Sequence, residues 1–183
     1  MENEFRVTVF GGSKPQVGSP AYEEARKLGA SLATAGYTVL TGGYIGTMEA
    51  VSRGASEAGG HVIGVTCEEI EAWRPVKANR WVAEEMRYPT VRQRLYALID
   101  HCDAALALPG GIGTLAEIAV TWSQLQVGAS EPRPLIVVGE GWEKTFSTFY
   151  QVLGEYIALS DRQWLRFAPD VKRAFQKIQE RLS

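Results

Sequence analysis

Residues that bind metals or form disulfides are scarce in this sequence. Its 183 residues include only two cysteines, Cys67 and Cys102, and two histidines, His61 and His101. The two cysteines lie far apart, the histidines are equally dispersed, and none of them shows the spacing of a zinc site. We therefore expect no metal, no disulfide framework and a reducing, cytoplasmic setting.

The sequence also has no large excess of charge and no long hydrophobic run. A formal net charge of −2 gives no general attraction to nucleic acid or to an acidic membrane. No apolar run approaches the roughly 18 residues of a membrane span. The start, MENEFRVTVFGG, does not resemble a signal peptide, because its apolar run is short and acids precede it. With 45% hydrophobic and 22% charged residues, we expect one globular domain over residues 1–183 that binds neither nucleic acid nor membrane.

Short apolar runs recur along the chain, each ending in glycine or a turn and each followed by a helical pattern. Strands are predicted at 6–12, 37–43, 61–66, 103–111 and 133–139. Helices are predicted at 20–36, 47–60, 89–101, 114–128, 143–156 and 170–182, with an irregular region at 67–87. The strand runs are continuously apolar, which indicates a mostly parallel sheet with helices on both faces. The predicted fold class is a doubly wound, Rossmann-like α/β domain.

Three of the predicted strands end in glycine-rich turns, FGGS (10–13), TGGYIGT (41–47) and LPGGIGT (108–114). Ligands of open parallel sheets bind outside the carboxyl ends of the strands. Glycine lets backbone N–H groups approach an anion, and a helix N-terminus adds partial positive charge. Each turn alone could simply permit a tight bend, but the three together favour a phosphorylated small molecule. The predicted substrate-binding residues are Ser13, Gly42, Gly43, Gly46, Gly110, Gly111, Ile112, Gly113, Thr114 and Thr121.

Glu117 follows the third turn and has two interpretations. It lies three residues after Thr114, so TLAE fits a capping box in which the glutamate binds the Thr114 N–H. Alternatively, it lies one helical turn beyond a bound phosphate, beside the sugar. The turn is neither a Walker A loop nor a GxGxxG fingerprint. No acid ends the second strand to bind a ribose diol, which disfavours a nicotinamide cofactor and an oxidoreductase.

The stretch LPGGIGTLAEI (108–118) resembles the PGGxGTxxE motif of the LOG family, the cytokinin riboside 5'-monophosphate phosphoribohydrolases. The resemblance extends over at least residues 5–139 and includes the glycine-serine turn and the Gly-Gly turn before a Gly-x-Met helix. It implies a modified Rossmann fold, usually a homodimer, that binds a nucleoside monophosphate such as AMP. The implied reaction hydrolyses the N-glycosidic bond to a free base and ribose 5-phosphate, without a cofactor.

The resemblance also implies a catalytic pair. Glu117 matches the glutamate of the motif, and Arg94, nine residues before Asp103, matches the arginine of a Met-x-x-Arg-Lys motif. Val91 and Leu95 replace the methionine and the lysine of that motif. Without the lysine, the substrate neighbourhood has one cation fewer. The alternative is therefore a non-catalytic binding or carrier protein for a phosphorylated nucleotide or a molybdenum-cofactor-type ligand, as in relatives that share the fold.

Large aromatic side chains near these motifs offer further hypotheses. Tyr44, Trp73 and Trp81 are candidates for stacking on a base, although packing is an alternative use of each. Trp122 and Leu125, on the helix after the third turn, are expected in the core or in a dimer interface.

Overall fold

In the computed structural model, which describes residues 5–182, seven strands form one parallel sheet. The strands are β1 (Arg6–Phe10), β2 (Thr38–Thr41), β3 (Val62–Cys67), β4 (Glu84–Tyr88), β5 (Ala104–Ala107), β6 (Leu135–Val138) and β7 (Leu165–Ala168). The helices are α1 (Pro20–Thr34), α2 (Thr47–Glu57), α3 (Glu68–Trp73), α4 (Val91–Asp100), α5 (Ile112–Gln126), α6 (Glu140–Leu153), α7 (Leu159–Arg162) and α8 (Val171–Leu182), with a 3-10 turn at Gly154–Tyr156.

The order of the strands places two glycine-rich turns side by side. The sheet runs β4-β3-β2-β1-β5-β6-β7, so the chain proceeds outward from β1 to β4 and then returns to the other side of β1. The direction of progression reverses between β1 and β5, which is where open α/β sheets bind their ligands. The two turns touch there, because the N–H of Gly12 donates a hydrogen bond of 3.2 Å to the carbonyl of Pro109.

Helices cover both faces of the sheet, which confirms the doubly wound fold class. On one face, α1, α2 and α8 pack on the sheet through a cluster that includes Leu28, Val51 and Ile178. On the other face, α4, α5 and α6 pack through residues such as Leu98 and Ile118. The central strands are buried on both sides, as continuous apolar runs require.

The local sequence fixes where α4 begins, and α4 carries the candidate catalytic arginine. Thr90 is its N-cap, with extended backbone and a side-chain oxygen that accepts the N–H of Gln93 at 3.2 Å. From this start, Arg94 falls on the same face as Ala97 and Leu98, which are buried against the sheet. A residue type that is normally exposed is therefore carried inward by the phase of the helix.

The prediction that 67–87 is irregular is wrong, since this region contains α3 and β4, and the prediction of strands also missed β7. Both missed strands lie at edges of the sheet, where each pairs with a single neighbour. Edge strands do not need a continuous apolar run, and β4 reads EEMRY with no fully buried residue. Helix α3 buries no residue either, so it leaves no apolar periodicity to detect.

Two negative findings apply to residues 5–182. None of the helices there has both the length and the apolar character needed to cross a bilayer. In the same residues, no three side chains of His, Cys, Asp or Glu converge as metal ligands would. Both cysteines are buried free thiols.

Candidate active site

A cavity of about 360 Å³ opens at the carboxyl end of the sheet, where the turns after β1 and β5 meet. Its walls come from these turns, from Tyr44 and Met48 beside the start of α2, from α3 and from the inward face of α4. Seven of the predicted site residues line it: Ser13, Arg94, Gly111, Ile112, Gly113, Thr114 and Glu117. The fold therefore brings the two candidate catalytic residues and the third glycine-rich turn into one space.

The other five predicted site residues, Gly42, Gly43, Gly46, Gly110 and Thr121, do not line this cavity. Thr121 is fully buried one turn beyond Glu117, and its hydroxyl donates a hydrogen bond of 2.7 Å to the Glu117 carbonyl. A threonine inside a helix commonly bonds the carbonyl four residues earlier, which here uses its only donor. The structure thus places Thr121 as a support for α5 rather than on the cavity wall.

Gly42 lies directly behind Arg94. Its carbonyl accepts a hydrogen bond of 3.1 Å from Nη2 of Arg94. A Cβ atom at Gly42 would overlap that same Nη2 atom and would lie 2.5 Å from the Met48 sulfur. The missing side chain therefore makes the space in which the guanidinium rests.

Gly46 connects the turn after β2 to the turn after β1. Its φ of +73° is a conformation that favours glycine, and it is the N-cap of α2. A Cβ there would lie 2.5 Å from the carbonyl carbon of Ser13. The next residue, Thr47, donates its N–H to the Gly12 carbonyl at 2.9 Å, so the two turns pack as one unit behind the cavity.

Helix α5 points its N-terminus into the cavity. Gly111 is the N-cap, so Ile112, Gly113 and Thr114 form the first turn, whose N–H groups have no acceptor within the helix. The capping box, one of the two interpretations of TLAE, is wrong, because the N-cap of α5 is Gly111 and Thr114 is already the third residue of the helix. The open N–H groups and the helix dipole make this end of the cavity suitable for an anion.

Arg94 is buried and held by backbone carbonyls. Its Nε donates to the Val65 carbonyl at 2.8 Å and its Nη2 to the Gly42 carbonyl at 3.1 Å. The guanidinium carbon lies 5.6 Å from the centre of the Tyr44 ring. Its remaining nitrogen, Nη1, faces Glu117 at 3.9 Å from Oε1. The arginine therefore presents one fixed cationic edge to the carboxylate.

Glu117 is a buried carboxyl, with 8% of its surface exposed. Burial raises its pKa to about 7, and the charge of Arg94 opposes that rise. A pKa near neutrality lets the group exist in either protonation state at physiological pH, as a general base requires. Its position and its raised pKa make Glu117 the candidate general base of the cavity.

The aromatic side chains proposed for base stacking differ in whether they line the cavity. Tyr44 lines the cavity, but its hydroxyl exchanges two hydrogen bonds with the Cys67 backbone, at 2.8 and 3.0 Å. Trp73 lies at the mouth and is 79% exposed. Trp81 does not line the cavity, and Arg80 stacks on it at 4.5 Å.

Trp122 and Leu125 are both buried within the chain, which assigns them to the core and leaves neither exposed for an interface.

Sequence reasoning missed Arg74, the residue after α3. It lines the cavity, and its Nη1 lies 3.5 Å from the Ser13 hydroxyl. It belongs to the region predicted as irregular, and no motif marks it. Met48 and Ile70 also line the cavity and add apolar surface to the wall.

Comparison with known proteins identifies the family. Residues 4–154 match the model of the SLOG cluster4 family, and the chain belongs to this family. It is 32% identical over 179 residues to the cytokinin riboside 5'-monophosphate phosphoribohydrolase LOG4 of Arabidopsis thaliana, covering 96% of this chain and 82% of that protein.

Two solved structures share the whole fold. The molybdenum cofactor binding protein of Rippkaea orientalis matches with a TM-score of 0.78 and 20% identity, covering 100% of both chains, which is a likeness of fold alone. The Moco carrier protein of Chlamydomonas reinhardtii matches with a TM-score of 0.71 and 26% identity, covering 98% of both chains. The family and fold thus include named hydrolases and named carriers.

Proposed function

We propose that the protein hydrolyses the N-glycosidic bond of a nucleoside 5'-monophosphate, of the AMP or cytokinin-nucleotide type, to a free base and ribose 5-phosphate. The observation that carries this proposal is the position of Glu117. A buried carboxyl with a pKa of about 7 lies one helical turn beyond a helix N-terminus that is open to the cavity. The likeness to LOG4, a named phosphoribohydrolase, supports the same reaction.

The phosphate of the substrate binds at the start of α5. The N–H groups of Ile112, Gly113 and Thr114 donate to its oxygens, and the Thr114 hydroxyl adds a further donor. The ribose then extends toward Glu117. This arrangement keeps the carboxylate beside the sugar, where positive charge develops, and away from the phosphate, which it would repel.

The chemistry follows from the charges on Glu117 and Arg94. As the bond between C1' and the base nitrogen breaks, its electron pair leaves with the base and positive charge grows on the sugar. The Glu117 carboxylate stabilises that charge and accepts a proton from the water that forms the new C1'–O bond. The departing base takes up a proton and Glu117 releases the one it accepted, so the net reaction consumes one water. The positive charge of Arg94 keeps a fraction of Glu117 ionised.

Incubation with AMP and other common monophosphates, with chromatography of the products, tests this reaction. We expect equal amounts of free base and ribose 5-phosphate from the wild type, and a loss of at least about 100-fold in kcat for Glu117→Gln. Glu131→Gln, which changes an exposed carboxyl in the loop before β6, is the matched control and should retain full activity. Absence of free base from every nucleotide at high enzyme concentration would refute the proposal.

A second candidate function is a carrier of a phosphorylated pterin-type ligand. The 26% identity to the Chlamydomonas reinhardtii Moco carrier protein favours it, together with Leu95 in place of a lysine. Leu95 is half-buried and packs against the core cluster beneath α4, so it brings no charge to the cavity. A carrier binds its ligand and returns it unchanged. Thermal stabilisation by AMP that persists for hours would favour a carrier, and stabilisation that decays as AMP is consumed would favour the hydrolase.

We also propose that the protein is a cytoplasmic homodimer. Its two buried free thiols fit a reducing compartment. A second copy has an apolar surface available, since Val152, Tyr156 and Leu159 are each more than 60% exposed in one stretch of the chain. Light scattering of the wild type should give twice the mass of one chain, and Val152→Asp with Leu159→Asp should give a monomer.

A further inference from the structure

Arg74, in the segment 74–87 that follows α3, is a cation with no carboxylate partner among the described residues. Two other cations of this segment, Lys77 and Arg87, each lie 3.0 Å from the same carboxylate, Glu71. Within residues 5–182, no carboxylate forms an ion pair with Arg74, and its Nε is buried without a hydrogen-bond partner. A buried donor of a charged group is costly when it stays unsatisfied, so a ligand that accepts its hydrogen bond would recover that cost.

The position of Arg74 shows what such a ligand would be. Its guanidinium lies against Ser13, on the turn after β1, and that turn is hydrogen-bonded through Gly12 to Pro109, on the turn that leads into α5. The same cavity therefore has a helix N-terminus on one wall and an unpaired guanidinium on another. Both favour anions, and a guanidinium forms two parallel hydrogen bonds with phosphate oxygens.

Arg94 is not equivalent to Arg74. Its Nε and Nη2 are occupied by the carbonyls of Val65 and Gly42, and its free edge faces Glu117. We infer that the two arginines divide the ligand between them: Arg74 binds the 5'-phosphate and makes the site select phosphorylated ligands, while Arg94 serves the carboxylate at the sugar. The inference rests on the phosphorylated substrate proposed above.

The segment that carries Arg74 is itself fixed in place. Asn79 donates its backbone N–H and its Nδ2 to the Gly43 carbonyl, at 2.8 and 3.0 Å, and its Nδ2 also to the Tyr44 carbonyl at 2.9 Å. At the other end, the N–H of Arg74 bonds the Ile70 carbonyl at the end of α3. The indole of Trp73 stacks beside the guanidinium, with 5.5 Å from the ring centre to Cζ. The cation is therefore positioned before any ligand arrives, which reduces the entropy lost on binding.

Titration calorimetry with AMP and with adenosine tests the assignment for the wild type, Arg74→Met, Arg74→Lys and the control Arg80→Met. Arg80 also stacks on a tryptophan but does not line the cavity. We expect Arg74→Met to raise the Kd for AMP about tenfold or more and to change the Kd for adenosine less than twofold. The Kd of Arg74→Lys for AMP should lie between those of the wild type and Arg74→Met, because lysine keeps the charge but lacks the two parallel N–H donors of a guanidinium. The Kd of Arg80→Met should equal that of the wild type.

The outcomes separate this assignment from the proposed reaction. An equal loss for AMP and adenosine in Arg74→Met, or no loss for either, overturns the role in phosphate selection, and so does a wild type that binds neither AMP nor inorganic phosphate. If the wild type binds AMP but never consumes it, the hydrolase proposal fails. The ratio of the two dissociation constants then still decides the role of Arg74.

Discussion

Nη1 of Arg94 and Oε1 of Glu117 lie 3.9 Å apart, with each side chain about one-tenth exposed. This distance is too long for a hydrogen bond, so the two groups interact through charge alone. Among the described residues, no hydrogen-bond donor contacts the Glu117 carboxylate, whose pKa is set by burial and by this one charge. Both oxygens of the Glu117 carboxylate are therefore available to a ligand in the cavity.

The pH dependence of the reaction should follow Glu117. We expect kcat/KM to fall about tenfold per pH unit below pH 7, because the protonated carboxyl can neither accept a proton nor stabilise positive charge. In Arg94→Met this acidic limb should move to higher pH, since the charge that lowers the pKa of Glu117 is gone. The substrate phosphate ionises near pH 6 in every variant, so the difference between variants isolates Glu117. An acidic limb that lies at the same pH in Arg94→Met and the wild type would contradict the assignment of this limb to Glu117.

The carboxyl group of Glu117 should lower the free energy of unfolding at neutral and alkaline pH. The pKa of Glu117 rises from 4.5 to about 7 on folding, so above pH 4.5 the unfolded chain loses its proton first and is favoured. Stability present at pH 4.5 is therefore lost as the pH rises through 7. We expect Glu117→Gln to be more stable than the wild type by about 1–3 kcal/mol at pH 8 and similar to it at pH 5, by urea denaturation. Equal stability of the two at pH 8 would show that burial does not disfavour the charged form.

Gly42 offers a test of Arg94 that leaves the arginine in the chain. Gly42→Ala places a methyl group where Nη2 of Arg94 rests, so the guanidinium must move away from the Gly42 carbonyl. We expect kcat to fall about tenfold or more, with a smaller change in KM, because the change acts on the charge beside the carboxylate. Gly141→Ala is the matched control, since a Cβ there meets no atom within 4 Å. An unchanged kcat in Gly42→Ala would show that the position of the guanidinium does not matter.

Trp122 should act through the core. It packs edge-on against Phe146 and Tyr150, at 6.1 and 5.9 Å between ring centres, and its Nε1 donates to the Asp161 carbonyl at 2.9 Å. We expect Trp122→Ala to lower the free energy of unfolding by about 3–5 kcal/mol. Trp73→Ala, at a position 79% exposed, should change it by less than about 0.5 kcal/mol. If Trp122→Ala changes the free energy of unfolding only slightly but abolishes the dimer, Trp122 belongs to an interface instead.

The sequence predicts the central strands and the glycine-rich turns well, because both have local causes. A strand buried on two faces must be apolar throughout, and a turn that approaches an anion or a guanidinium must lack side chains. The predicted start of α5, at residue 114, is two residues too late. The N-cap, Gly111, has no side chain and so gives no capping signal in the sequence.

Arg74 shows the limit of local reasoning. Its contact, Ser13, lies 61 positions earlier in the chain, and the two meet because β3, β2 and β1 are neighbours in the sheet. No periodicity or spacing within the residues around Arg74 encodes that proximity.

The hydrogen bonds of Asn79 to the carbonyls of Gly43 and Tyr44 anchor the chain beside the cavity at one point. Only the four residues Pro75, Val76, Lys77 and Ala78 separate Arg74 from that anchor. They work as a spacer, so inserting or deleting one of them would shift the guanidinium relative to α5 while leaving every cavity-lining residue unchanged. In the role proposed for Arg74, phosphate selection therefore depends on the length of this four-residue spacer as well as on the residues that line the cavity.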